Sequence, residues 1–387
     1  MNVAIIGAGP AGLAAIRHCL EEDVKCVAYE QEGFIGGLRT NLPKELMEFE
    51  NYPYKPSEEH YITQQEVLDY LHQFAKDFNL FPHIKLNHQV IWVEPLYNGK
   101  WSVKVRNTQT DEVTEKIFDG VLLCNGHYTD PFTPFIPGTD RFKGNIIHSQ
   151  RYRRSDVYKG KRVLVIGGSF SGIDISRLVA LEAEKVYLSV NDEKKKSKEK
   201  NVINKPVVER FEDHRAIFVD GTEVEIDDVI FCTGYNYNFP FLSEKCQLTI
   251  DDNWVKPLYK HLINIEYPSM AIINVTFIVC PFPLFSIQIR FYLALLKGHF
   301  KVSKEEMYDD YNQDIIKRIE KKVPNRRAHY IGDQQLEYFE DLAVVANIRR
   351  IPRVLGKIFK FFLVHIDKKP AFKILNDEEY EPFFCVT

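Results

Sequence analysis

The chain has 387 residues, 45% of them hydrophobic and 27% charged, with 50 Lys and Arg against 54 Asp and Glu for a net charge of −4. That balance suits a soluble globular chain of roughly two or three domains; it excludes a disulfide-stapled miniprotein and a broad basic field for nucleic acid. Seven cysteines, irregularly spaced and without a C-x-x-C pair, argue for a reduced, cytoplasmic setting and against a disulfide framework or a structural metal.

Met1 leads straight into the apolar run Val3-Ala4-Ile5-Ile6, with no basic or apolar region of a signal peptide, so secretion would require a leader removed beforehand. The run reads as a strand, Pro10 to Glu22 as a helix and Val24 to Tyr29 as a second strand. Between the first two lies Gly7-Ala8-Gly9-Pro10-Ala11-Gly12, a G-x-G-x-x-G turn. Its first Gly makes the tight turn, its second lets backbone approach a pyrophosphate, and its third lets helix and strand pack closely. Glu30, 18 residues after Gly12, stands where a carboxylate accepts from both ribose hydroxyls, so an unphosphorylated ribose, FAD or NAD, belongs here.

A helix opens at the capping box Thr63/Glu66 and carries Val67, Leu71, Phe74 and Phe78 on one face. Strand-like segments follow at Ile84 to Val93, Trp101 to Arg106 and Val113 to Phe118, then an apolar strand leading into Cys124-Asn125-Gly126. The strand, turn, helix and strand order then repeats at Arg162 to Ile166, Ser171 to Ala183 and Lys185 to Val190, closing with a strand that leads into Cys232-Thr233-Gly234. Its turn, Gly167-Gly168-Ser169-Phe170-Ser171-Gly172, has Ser169 where the second Gly is wanted, which shifts the position of closest approach. Ser189, Val190 and Asn191 replace the acid, and Lys194 to Lys196 follow, either as contacts to a 2′-phosphate or as a solvated loop; NADPH is preferred over NADH.

The expected fold is α/β, with two Rossmann-like dinucleotide-binding domains: the NADPH domain (151–235) is inserted into the FAD domain (1–150 and 236–387). No apolar run reaches the roughly 20 residues of a membrane span. Ile351 to Ile366 reads as a surface helix packed by one face, with an interfacial helix as the alternative. Phe282, Phe285, Phe291 and Tyr292 read as core, with a homo-oligomer contact as the alternative. A chain holding both cofactors can be a disulfide reductase, an electron-transfer reductase or a monooxygenase, and no closely spaced cysteine pair supports the first.

Further motifs separate the remaining two. Phe142-Lys143-Gly144 with His148 and Tyr152 fits F-x-G-x-x-x-H-x-x-x-Y; Cys232-Thr233-Gly234-Tyr235 precedes Phe239-Pro240-Phe241; and Thr40-Asn41-Leu42-Pro43-Lys44-Glu45 stands early in the chain. Through these, and through Asn125-Gly126-His127-Tyr128, Cys280-Pro281-Phe282-Pro283 and Arg327-Ala328-His329, the chain resembles the flavin-containing monooxygenases of class B nearly end to end. Within that family it is most similar to the insect enzymes.

The resemblance implies NADPH- and O₂-dependent oxygenation of soft nitrogen or sulfur nucleophiles, through a C4a-hydroperoxyflavin, in small lipophilic substrates such as plant alkaloids. It implies Asn41 as the one catalytic side chain, donating its amide to the flavin adduct and NADP⁺. With the two Gly turns it places cofactor contacts at Gly7, Gly9, Gly12, Glu30, Gly36, Gly37, Leu38, Thr40, Asn41, Leu42 and Val90, and at Gly167, Ser169, Ser171, Gly172, Ile173, Asp174, Ser189 and Tyr235. Tyr235 also reads as part of the linker between domains, and His148 is given no proton-transfer role. One departure stands out: the family has a Trp and a longer stretch between its Gly-Gly pair and its asparagine, whereas Gly36-Gly37-Leu38 passes directly into Arg39-Thr40-Asn41. A real deletion there would weaken FAD binding or uncouple oxygen activation, making an NADPH oxidase or an electron-transferring FAD/NADPH reductase the alternative.

Overall fold

The computed structural model describes residues 1–35, 42–55, 57, 59–191 and 199–384. From the N-terminus run β1 (Asn2–Ile6), α1 (Pro10–Glu21), β2 (Lys25–Tyr29), α2 (Gln64–Asp77), β3 (Ile84–Lys85), β4 (His88–Pro95), β5 (Trp101–Asn107), β6 (Val113–Phe118) and β7 (Gly120–Leu123). The expected single segment Ile84 to Val93 is two strands. Asn87, at φ 58°, turns the chain, so β3 joins β2 while β4 starts a separate antiparallel sheet, β4-β5-β6.

Next come β8 (Asp130–Pro131), β9 (Asn145–His148), β10 (Arg162–Ile166), α3 (Phe170–Ala180), β11 (Lys185–Ser189), β12 (Val202–Lys205), β13 (Val208–Glu212), β14 (Arg215–Phe218), β15 (Glu223–Glu225), β16 (Asp228–Phe231) and β17 (Tyr235–Asn236). They make up a unit of their own, His127–Asn236, around an all-parallel sheet in the order β12-β11-β10-β16-β9. Strand alternation divides its core. Leu164, Ile166, Val229 and Phe231 meet Phe211 and Phe218 of the antiparallel β13-β14-β15 sheet, whereas Val163, Val165, Val186 and Ile230 meet Ile175 and Val179 of α3. The first domain boundary, expected at 150, falls after Gly126. Backbone pairing decides this, because β9 lies parallel to β16 from Asn145↔Asp228 to His148↔Phe231.

The chain then returns to the first unit, Met1–Gly126 with Tyr237–Thr387. Here lie β18 (Thr249–Asp251), β19 (Trp254–Lys256), β20 (Leu258–Tyr259), β21 (Ile263–Asn264), β22 (Met270–Ile272), α4 (Pro281–Leu296), α5 (Lys304–Glu320), α6 (Gln335–Ala346), α7 (Arg353–His365), β23 (Pro370–Ile374) and β24 (Tyr380–Phe384). Its main sheet is ordered β20-β21-β22-β7-β1-β2-β3, parallel from β22 to β3. Ala4, Ile6, Val121 and Leu123 pack on Trp101, Val103 and Val105 of β5.

Helix α4 is apolar nearly all round and buried, as such helices must be. Phe282, Phe291 and Tyr292 are fully buried and Phe285 nearly so within one chain, so all four rings are core. In α7, Val354, Ile358, Phe359 and Phe362 are buried while Arg353 and Lys360 are exposed, the packed surface helix of the first reading. No helix among the described residues is long and apolar enough to cross a membrane.

Candidate functional site

In the first unit the order of strands reverses at β1, which has β2 on one side and β7 on the other, and ligands of open α/β sheets bind at the strands' carboxyl ends at such a point. Gly7 follows β1 at φ 99°, donates its N–H to Tyr29 O (2.8 Å), and would set a Cβ 2.6 Å from the Cys124 carbonyl oxygen. A Cβ on Gly12 would lie 2.1 Å from the Gly7 oxygen, whereas one on Gly9 would meet nothing within 4 Å. Two glycines are therefore required by packing and one is left open. Gly9 caps α1 without a side-chain hydrogen bond, Pro10 follows, and no acid stands in the first turn, so the helix N-terminus is free to receive an anion. The Glu30 carboxylate turns back onto this loop, accepting from Ala8 N (2.9 Å) and Glu32 N (3.0 Å). Two of its roughly four lone-pair sites stay available for ribose hydroxyls. These residues fit the pyrophosphate and ribose of a dinucleotide.

The second unit repeats the construction. Gly167, at φ 117°, donates to Ser189 O (3.0 Å) and would bring a Cβ within 2.3 Å of the Cys232 oxygen; one on Gly172 would lie 1.7 Å from the Gly167 oxygen. Ser169 caps α3 where Gly9 caps α1, with no side-chain hydrogen bond and no acid in the first turn. The spacing is thus not shifted, contrary to the expectation from sequence, and the substitution adds an exposed hydroxyl at the open position. Ser171, Ile173 and Asp174 fall in the first turns of the same helix. Val190 stands where the first unit has Glu30, its Cγ1 facing Gly168. Ser189 is buried, and its hydroxyl donates to Pro206 O at 2.8 Å. The helix terminus and its hydroxyls fit a second dinucleotide.

The F-x-G-x-x-x-H-x-x-x-Y residues close this second unit. Phe142 packs on Phe211, Gly144 leaves no room for a Cβ beside the Asp227 carbonyl (2.1 Å), and Tyr152 stacks on Tyr158. His148 Nε2 lies 3.0 Å from Gly234 O, and Gln150 N donates to its Nδ1 at 3.2 Å. The carbonyl only accepts and the amide only donates, so the ring is neutral with its proton on Nε2, and burial lowers its pKa further. Such a ring holds β9 to the end of β16. Tyr235 opens β17 and packs edge-on against His148 and Tyr128.

Gly36, Gly37, Leu38, Thr40 and Asn41 lie outside the described residues, as do Lys194 to Lys196. Leu42, just after them, is buried, and Val90 packs its side chain into the core, so a cofactor contact there falls to its main chain. Beyond Leu42 a polar cluster went unread from the sequence. Lys44 Nζ donates to Ser57 O and Oγ (2.8 and 2.7 Å), Glu45 contacts His60, and Glu48 accepts from Tyr54 N at 3.1 Å. Burial, with the Glu45 charge adding to it, pushes Glu48 up to about 7. The sequence offered only three carboxylates in a short stretch, at Glu45, Glu48 and Glu50. Among the described residues no cluster of His, Cys, Asp and Glu could hold a metal.

With this geometry the comparisons agree. The model of the family described as flavin-binding monooxygenase-like matches residues 1–195 and 190–372. The chain is 33% identical to flavin-containing monooxygenase FMO GS-OX5 of Arabidopsis thaliana, across 89% of its own length and 84% of the relative's. Among solved structures it is similar to S-allyl-L-cysteine S-oxygenase from Allium sativum, with TM-score 0.87, 32% identity and coverage of 94% and 93% of the two chains. It is also similar to Tmm from Pelagibacter sp. strain HTCC7211, with TM-score 0.83, 27% identity and coverage of 96% and 94%.

Proposed function

Since the chain belongs to the flavin-containing monooxygenase family and is thereby an NADPH-dependent oxidoreductase using FAD and NADPH, we propose that it oxygenates soft sulfur or nitrogen nucleophiles in small lipophilic molecules. The observation that carries this reading is the paired construction of two dinucleotide cradles, each with an uncapped helix N-terminus behind a glycine forced by a neighbouring carbonyl. We assign FAD to the first unit on the strength of Glu30, and NADPH to the second, where Val190 leaves room that a carboxylate would fill with repulsion toward a 2′-phosphate.

When bound, the two cofactors would supply hydride transfer and oxygen activation, so the protein need not supply an acid–base pair. The chain's own task is to bind and orient. Gly9 and the α1 terminus receive one pyrophosphate, Glu30 accepts from its ribose, and Ser169, Ser171 and the α3 terminus receive the other. The amide of Asn41 we take as the side chain that hydrogen-bonds the reacting centre. Sulfides are the first substrates to try, given the name of the Allium relative, and tertiary amines of the plant-alkaloid type the second.

The test is stoichiometry in air with FAD and NADPH. An alkyl cysteine sulfide or a tertiary amine should gain one oxygen atom per NADPH consumed, with NADPH giving the higher kcat/KM than NADH. Hydrogen peroxide equal to the NADPH consumed, with neither substrate oxidised, would identify an oxidase instead.

A further inference from the structure

Among the described cysteines Cys26 alone is partly exposed; Cys19, Cys124, Cys232, Cys246 and Cys280 are buried. Cys19 lies near the end of α1 and Cys26 is the second residue of β2. The reversal between them is tight: Val24 N donates to Cys19 O at 2.8 Å, and Asp23 takes φ 55°. Alternation along β2 sends Val27 and Tyr29 toward the core shared with β5, leaving Cys26 and Ala28 on the α1 side. There the Cys19 and Cys26 side chains face each other across the turn, each shifting the other's ionisation. On its outer side Cys26 opens into a surface hollow of about 400 Å³, lined also by Leu20, Asp23, Lys25 and His83.

This arrangement separates the roles of the two sulfurs. The neighbouring Cys19 thiol lowers Cys26 toward its thiolate, while Cys26 and burial hold Cys19 protonated. Burial raises the other described thiols, Cys124 strongly, Cys232 up to about 12 and Cys246 up to about 11. Neither Cys19 nor Cys26 belongs to the dinucleotide cradles.

We propose that Cys26 and Cys19 form a reversible dithiol–disulfide site oxidised by hydrogen peroxide, with Cys26 as the attacking and Cys19 as the resolving thiol. The Cys26 thiolate attacks one peroxide oxygen; the O–O bond breaks, an S–O bond forms, and the departing hydroxide takes a proton to become water. Cys19 sulfur then attacks Cys26 sulfur and gives up its proton. The S–O bond breaks, the S–S bond forms, and a second water leaves. Two thiols lose two electrons and the peroxide gains them. Oxidation brings the two facing sulfurs to a bond of about 2.05 Å. The resulting bridge joins the end of α1, which Gly9 caps and which carries Gly12, to β2, which Glu30 follows.

The full chain, reduced and freed of reductant, is exposed to graded hydrogen peroxide, denatured in an alkylating agent and mapped by mass spectrometry. Cys19 and Cys26 should leave the alkylated pool together, in linked peptides lighter by two hydrogens that dithiothreitol restores, while Cys232, Cys246 and Cys280 stay reduced. In Cys26→Ser, Cys19 should stay reduced through the same exposure. In Cys19→Ser, Cys26 should stop at a sulfenic acid that dimedone captures; should that buried variant not fold, the wild type and Cys26→Ser decide. The proposal is overturned if wild-type Cys26 proceeds to sulfinic acid with Cys19 intact, if Cys19 oxidises in Cys26→Ser, or if both thiols survive exposure that oxidises free cysteine.

Discussion

A single Cβ distinguishes the two roles that glycine plays in the first cradle. At Gly12 it would meet a carbonyl at 2.1 Å, so Gly12→Ala must push α1 off β1 and should cost about 2–3 kcal/mol, read as a lower melting temperature of the flavin-free protein. At Gly9 the backbone is ordinary (φ −70°) and nothing lies within reach of a Cβ, so Gly9→Ala should melt like the wild type yet retain much less FAD after gel filtration. Equal flavin retention in Gly9→Ala would remove the pyrophosphate from this turn. Glu48 makes a different prediction. Its folded pKa is raised to about 7 by burial, so its contribution is present in full below the ordinary carboxylate range and is lost as pH rises through about 7. Glu48→Gln removes that loss, and the variant should gain on the wild type by about 2 kcal/mol between pH 5 and pH 8 in urea unfolding, allowing for partial exposure. A constant difference across that range would mean that Glu48 is ionised throughout.

At the scale of elements, β9 is held to β16 by four parallel register pairs and by one imidazole at their end. His148→Gln gives up the bond to Gly234 O or the one from Gln150 N, a loss of about 1–2 kcal/mol at pH 8. The wild-type ring has a lowered pKa, so its stabilisation is complete above the ordinary histidine value and fades as pH falls through the folded one. The gap between wild type and His148→Gln in urea unfolding should therefore narrow at pH 5.5, and a gap that widens would contradict the neutral tautomer. Elements also show where the sequence could be read. Val3 to Ile6 and Arg162 to Ile166 announce buried parallel strands by composition alone, and each Gly turn names its helix start. The edge of the second unit could not be read so, because Asn145 to His148 is a short run whose allegiance depends on a partner more than 80 residues away. Likewise nothing local to Glu48 tells that its carboxylate will be buried, and nothing local to Cys26 tells that Cys19 waits across the turn.

For the whole molecule, the assignment of one dinucleotide to each unit is checked by hydrogen exchange. FAD at about 100 times its dissociation constant should stabilise the fold that binds it by about 2.7 kcal/mol, slowing exchange in β1, α1 and β2. NADP⁺ should slow exchange in β10, α3 and β11 instead, and protection of the same strands by both ligands would refute the division. The division also bears on how the molecule is made. The second unit is one continuous stretch, His127–Asn236, and is complete as soon as it leaves the ribosome, while β7 still lacks its neighbour β22. Met270–Ile272 is synthesised up to 36 residues after Asn236 (272 − 236), a wait of about 2–7 s at about 5–20 residues per second. During that interval the nascent chain carries a finished inner unit and an open apolar strand edge at Val121–Leu123, so chaperone demand in translation should peak after the halfway point and end with the emergence of β22.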